Sequence, residues 1–141
     1  MPELTNSELT NPELNIPEIV AEVRAAFERY DRALAENDVA VLDDSFWRDA
    51  KTLRYGVAEN LYGHDAIAAF RAGRTPTEHA ARARRLENTV INSFGRDFAV
   101  ANTEYVLLQS GQRGRQSQTW VRFPEGWKVV AAHVSIMQEK K

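Results

Sequence analysis

The chain has 141 residues, no cysteine and a formal net charge of −2. That length suits one compact domain, and the missing cysteine excludes a disulfide framework, a thiolate nucleophile and a zinc ribbon. The first 18 residues contain Glu3, Glu8, Glu13 and Glu18 but neither lysine nor arginine, so the body is mildly positive: suited to small anions, too weakly charged for nucleic acid.

No stretch approaches the ~18 consecutive apolar residues of a membrane span, and the N-terminus lacks the basic start and apolar run of a signal peptide. A cytoplasmic protein without membrane partners is expected. In chain order, residues 1–15 carry the short repeat PELTN, SELTN, PELN, whose single leucine per unit cannot build a core; they read as an acidic low-complexity tail. A single domain is expected over residues 16–138. Asn15 is placed to cap a first helix, with Pro17 in its first turn and Glu18 completing a capping-box-like pattern.

From there to about Ala35, Ile19, Val20, Val23, Ala26, Phe27, Tyr30, Ala33 and Leu34 recur at helical spacing and give the helix one apolar face. ENDVAVLDDSF predicts a short second helix capped by Asn37 or Asp38, DAKTLRYG a first strand ending at Gly56, and GHDAIAAFRAG a third helix closed by Gly73. TPTEHAARARR reads as a connection whose Arg82, Arg84 and Arg85 are solvated by default, unless one points inward. Four strands follow, Leu86 to Phe94, Phe98 to Gln109, Arg115 to Phe123 and Trp127 to Met137, separated by GRD, SGQRG and PEG. Three helices and a meander predict an α+β fold, a strongly curved antiparallel sheet wrapped around the first helix. Strict alternation puts Trp127, Val129, Ala131, His133, Ser135 and Met137 on one face of the last strand, with Lys128, Val130, Ala132, Val134 and Ile136 on the other. Both faces are largely apolar, so one is expected to meet the helices and line a pocket, the other a second copy of the chain in a homodimer.

Phosphate-binding loop, dinucleotide fingerprint, HExxH and GxSxG are all missing, and His64, His79 and His133 have no ligand spacing, so neither metal nor cofactor is expected. What remains is a set of single polar residues at the edge of an apolar interior. Tyr30 is either a core tyrosine bonded to a carbonyl or a donor to a developing oxyanion. Arg54 is either a surface cation paired with Asp43, Asp44 or Glu59, or a fork for a carboxylate. His133 is either a satisfied core histidine or a base, with Ser135 beside it as a further pocket candidate. Trp47 is a core or dimer contact unless it walls the pocket. Arg71, like Arg74, suits the C-terminal end of its helix through the dipole and is also a candidate for substrate binding.

LRYGVAENLYGHDAIAAFRAGR, with GRQSQTWVR and GWKVVAAHVSIM, resembles the AtzH-like family, which takes in the oxalurate-catabolism protein HpxZ and belongs to the SnoaL and nuclear-transport-factor-2 superfamily. The resemblance covers roughly residues 16 to 138. It implies a cystatin-like cone, a pocket between sheet and helices, and dimerisation through the outer sheet face. It also implies decarboxylating amide hydrolysis of small carboxylated ureas such as 1,3-dicarboxyurea, as in cyanuric acid catabolism, with Tyr30 and Arg54 as the matching catalytic pair. The ketosteroid isomerases of this superfamily use an aspartate base near the position where this chain has Arg54, which favours anion recognition over enolisation. Two alternatives stand beside the hydrolase: a non-catalytic carboxylate-binding accessory protein of an amidase pathway, and an isomerase or cyclase of the SnoaL type with His133 as base.

Overall fold

A computed structural model describes residues 10–139, so most of the acidic repeat lies outside the described residues. The long helix α1 spans Pro17–Glu36 and buries Ile19, Val23, Phe27, Tyr30 and Ala33 along the expected stripe. Asn37, in the left-handed conformation (φ 54°), ends it. Its start differs from the expected cap. Ile16 occupies the cap position without a side-chain bond, because Asn15 turns its amide away: Oδ1 accepts from the Ser93 amide at 2.8 Å and Nδ2 donates to Asn92 at 3.0 Å. Glu18 reaches Arg96 instead of folding back over the first turn.

Helix α2 (Val39–Asp44) is capped by Asp38, whose carboxylate accepts from the Val41 amide. Strand β1 is only Leu53–Tyr55, and it forms a hairpin with β2 (Asn60–Tyr62), which was not expected. Helix α3 (His64–Ala72) is followed by a fourth helix, α4 (Pro76–Ala81), where a connection was expected. The signal was present, since Thr75 and Glu78 make a full capping box with Pro76 at the first position.

Strands β3 (Arg84–Phe94), β4 (Phe98–Leu107), β5 (Arg113–Phe123) and β6 (Gly126–Ile136) form the meander. The sheet order is β2-β1-β6-β5-β4-β3, antiparallel throughout except that β1 runs parallel to β6. Two bulges give the sheet local bends. In β3, Asn88 and Thr89 oppose a single residue of β4, with Asn88 at φ 53°. In β6, Thr119 pairs with Ala131 and Trp120 with Val129, which leaves Val130 as an extra residue.

The second bulge corrects the face assignment of β6. An extra residue reverses the alternation, so Val129 on one side of it and Ala132 and Val134 on the other all point inward, each at most 8% exposed. Ala131, His133 and Ser135 therefore belong to the outer face, and His133 is exposed. The core lies between the inner face and the helices, with Ile19, Val23, Phe27, Leu42, Phe46, Ile67, Trp120 and Val129 at its centre.

Candidate functional site

At the end of the sheet away from Trp120, α1, α4 and the inner face enclose a cavity of about 630 Å³. Tyr30, Asp31 and Leu34 line it from α1, Arg54 from β1, Glu78 and His79 from α4, Arg84 from β3, Tyr105 from β4, Gln116 from β5, and Val134 and Ile136 from β6. Arg74 and Arg82 flank α4 and line it too. Tyr30 and Arg54, 24 positions apart in sequence, thus meet at one space.

Arg54 points inward because of its register. It pairs with Ala132 of β6, which pairs with Gln118 of β5, so the small alanine leaves room beside a long side chain on the inner face. Arg54 is 7% exposed and its Nη1 donates to Glu59 Oε1 at 3.0 Å. The surface pairing with Glu59 and the inward orientation, set against each other in the sequence, hold together. Gly56 permits it, since a Cβ there would collide with the Glu59 carboxylate and come within 3.0 Å of Arg54 Nη1. The guanidinium also lies 5.9 Å from the centre of the Phe70 ring, and Arg74 lies 5.7 Å from the same ring, so one phenyl group links the two cations.

Tyr30 is 4% exposed and its ring lies 6.0 Å from Phe46. Burial pushes its phenol up, but Arg71, Arg54, Arg84 and Arg74 together outweigh burial and leave it below the ordinary tyrosine value. Arg71 acts from behind: it donates to the Leu42 carbonyl at 2.9 Å, lies 3.8 Å from Asp43 and packs over Phe46 at 4.4 Å. It is absent from the cavity wall, in contrast to its expected place among the substrate-binding residues, and its charge lowers the Tyr30 phenol.

Three other candidates are also corrected. His133 lies on the outer face against Tyr55, ring centres 5.7 Å apart, and Ser135 shares that face; the Val130 bulge is the cause of both. Trp47 stacks on Phe123 at 5.4 Å, beside the hairpin between β5 and β6, and does not reach the cavity.

The sequence reading missed Arg74, Arg84, Tyr105 and Gln116. Arg84 is the inward member of the arginine cluster: it donates to Asp31 at 3.1 Å and to Gln116 Oε1 at 3.0 Å, and stacks over Tyr105 at 5.2 Å. Tyr105 lies across Gly114, where any side chain would clash with its ring, and donates to the Ser135 carbonyl at 3.0 Å. Burial raises its phenol above the ordinary value. Among the described residues, Arg74 and Arg82 have no carboxylate within ion-pair distance. Burial first, then Arg82 and Arg54, hold Arg74 down to about 10, still charged at neutral pH. No group of three or more His, Asp or Glu among the described residues converges to hold a metal, and no helix among them is long and apolar enough to cross a membrane.

A curved sheet closed by helices around an inner cavity is the cystatin-like, NTF2-like architecture. An NTF2-like superfamily protein from Salmonella enterica superposes with a TM-score of 0.68 at 22% identity, over 88% of this chain and 94% of that one, and shows the fold alone. A model of the AtzH-like family matches residues 12–140, and the chain belongs to that family. A protein of the DUF3225 family from Pectobacterium atrosepticum is 54% identical, with a TM-score of 0.84 over 89% of this chain and 95% of that one. A cystatin-like fold protein from Burkholderia xenovorans is 45% identical, with a TM-score of 0.83 over 92% and 99%. No curated protein matches the chain.

Proposed function

We propose that the protein is a cofactor-independent hydrolase of small N-carboxylated ureas, 1,3-dicarboxyurea being the example that family membership suggests. The observation that carries this reading is the meeting of Tyr30 and Arg54 at one cavity, with the phenol lowered by surrounding guanidinium groups. Arg54 uses one nitrogen for Glu59 and keeps the rest of its fork for a substrate carboxylate. Decarboxylating hydrolysis breaks an N–C bond: the electron pair goes to nitrogen, the lowered phenol of Tyr30 delivers a proton there and carbon dioxide leaves, after which water returns a proton to the phenolate and its hydroxide adds to carbon dioxide as bicarbonate. Holding the substrate between the two groups supplies the orientation.

Purified protein incubated with 1,3-dicarboxyurea tests the proposal by release of carbon dioxide. Arg54→Ala is expected to cut turnover by at least about a hundredfold while leaving the circular dichroism spectrum unchanged; full activity in that variant sinks the assignment. The accessory alternative draws on the Arg54–Glu59 pair, which a bound carboxylate has to share. Tight binding without turnover favours it. The isomerase or cyclase reading loses its base, because His133 lies on the outer face.

A cytoplasmic homodimer formed through the outer sheet face belongs to the same proposal. Val90, Phe94, Phe98 and Met137 are exposed to between 39% and 51%, and these side chains support the pairing. Light scattering is expected to give twice the 16.0 kDa chain mass, and the single mass refutes the pairing.

A further inference from the structure

Gln116 lies on the inner face of β5 between Thr103 of β4 and Val134 of β6, is 3% exposed and lines the cavity. Its orientation is fixed by chemistry. A guanidinium only donates, so the amide atom that meets Arg84 Nη1 at 3.0 Å is the oxygen. The amide nitrogen is then turned from Arg84, and Nε2 is buried without a partner. Arg84 is itself held by Asp31 and by the Tyr105 ring, so its charge is balanced and its part is to aim the amide.

Gln118, two residues on, makes a useful contrast. Its oxygen accepts from Trp120 Nε1 at 3.2 Å and its Nε2 is likewise unpaired, yet it does not line the cavity. Among the described residues, Gln116 and Arg84, whose Nε is likewise unpaired, are the cavity-lining side chains with an orphaned donor, and of the two Gln116 is the neutral amide.

We propose that Gln116 Nε2 is the donor that receives the carbonyl oxygen of the ligand's ureido or amide group, with Arg84 and Asp31 as positioning residues. This rests on the reading of Arg54 as a carboxylate anchor. It assigns the other end of the ligand: a carbonyl acceptor rather than an alkyl tail. An unsatisfied buried amide is costly, and a carbonyl oxygen relieves it where a methylene group cannot.

The test compares two probes on the full chain by calorimetry: hydantoate, which has a carboxylate and a ureido carbonyl, and pentanoate, which has the same chain length and carboxylate without the carbonyl. The wild type is expected to prefer hydantoate about tenfold or more. Gln116→Met removes the donor, and Gln116→Glu keeps the size and the Arg84 contact while replacing the donor with an acceptor. Both are expected to bring the ratio to about one, with pentanoate binding to Gln116→Met unchanged. Arg84→Met frees the amide to flip and is expected to lower the ratio part of the way. A merely structural role weakens both probes alike and leaves the ratio intact. A wild-type ratio near one, or a ratio that survives in both Gln116 variants, overturns the assignment. If Arg54→Ala leaves pentanoate binding untouched, the anchor fails instead, and the Gln116 ratio still reads separately. A wild type that binds neither probe overturns both.

Discussion

The two ends of the same four strands differ in what they bury. At the closed end, the row Ala99, Trp120, Val129 packs with Ile19, Val23 and Phe27 of α1 in one apolar cluster. At the open end, the rows Thr103, Gln116, Val134 and Tyr105, Gly114, Ile136 meet Tyr30, Asp31 and Leu34 of the same helix across a cavity. Stability and ligand room are thus separated along the strands rather than between layers. One helix serves both, with Ile19, Val23 and Phe27 at the closed end and Tyr30 and Asp31 at the open one.

That contrast makes distinct demands on substitutions at each end. Trp120→Ala is expected to have the largest effect, a loss of about 3–5 kcal/mol in urea unfolding, because the closed end has no space into which to relax. Phenol titration in the surviving folded fraction is expected to stay unchanged; a shifted titration breaks the separation of the two ends.

Tyr30→Phe comes next. It is expected to lower turnover by about a hundredfold or more with a change in stability of about 1 kcal/mol, since one hydroxyl is lost and the buried ring is kept. Its ionisation gives a second handle. The folded pKa lies below the unfolded value of about 10. The folded state therefore releases this proton first, so Tyr30 adds stability as pH rises from its folded pKa towards about 10, and that contribution is lost as pH falls through the folded pKa. Ultraviolet titration of the native protein is expected to show one phenol ionising early and lost in Tyr30→Phe, while Tyr105 ionises late. An early phenol that persists in the variant contradicts the arginine effect.

Arg74→Gln is expected to have the smallest effect. Stability stays within about 0.5 kcal/mol, since no carboxylate loses a partner, while affinity for malonate falls about five- to tenfold and becomes less sensitive to salt. Unchanged malonate binding places Arg74 outside the anion's reach.

Much of this was legible in the sequence, for physical reasons that can be named. The helical stripe from Ile19 to Ala33 identified α1 and put Tyr30 on its buried side, and the hairpin signals located β3 to β6. Arg54 is recognisable as an inward candidate and a pocket is expected between sheet and helices, but the room beside the guanidinium depends on Ala132 and Gly56, residues notable only for lacking bulk. The capping box at Thr75 marks α4, but it stands beside a dense arginine run that reads as a connection. Arg84 reads as one of several solvated cations because its partners, Asp31 and Gln116, come from remote elements. Strict alternation fails at β6. A bulge leaves no fixed mark in an apolar strand, so His133 and Ser135 were assigned to a face they do not share with Val129.

Val130 therefore has a consequence beyond curvature. Being one residue too many, it decides which half of the last strand's side chains meets the ligand, and no chemical property of its own is involved. Pairing Val130 in regular register would carry His133 and Ser135 to the inner face in one event, exchanging an aliphatic floor for an imidazole and a hydroxyl, whereas excising it would leave Ala132 and Val134 inward. In this architecture a slip of register can rewrite the chemistry of the chamber more thoroughly than any single replacement.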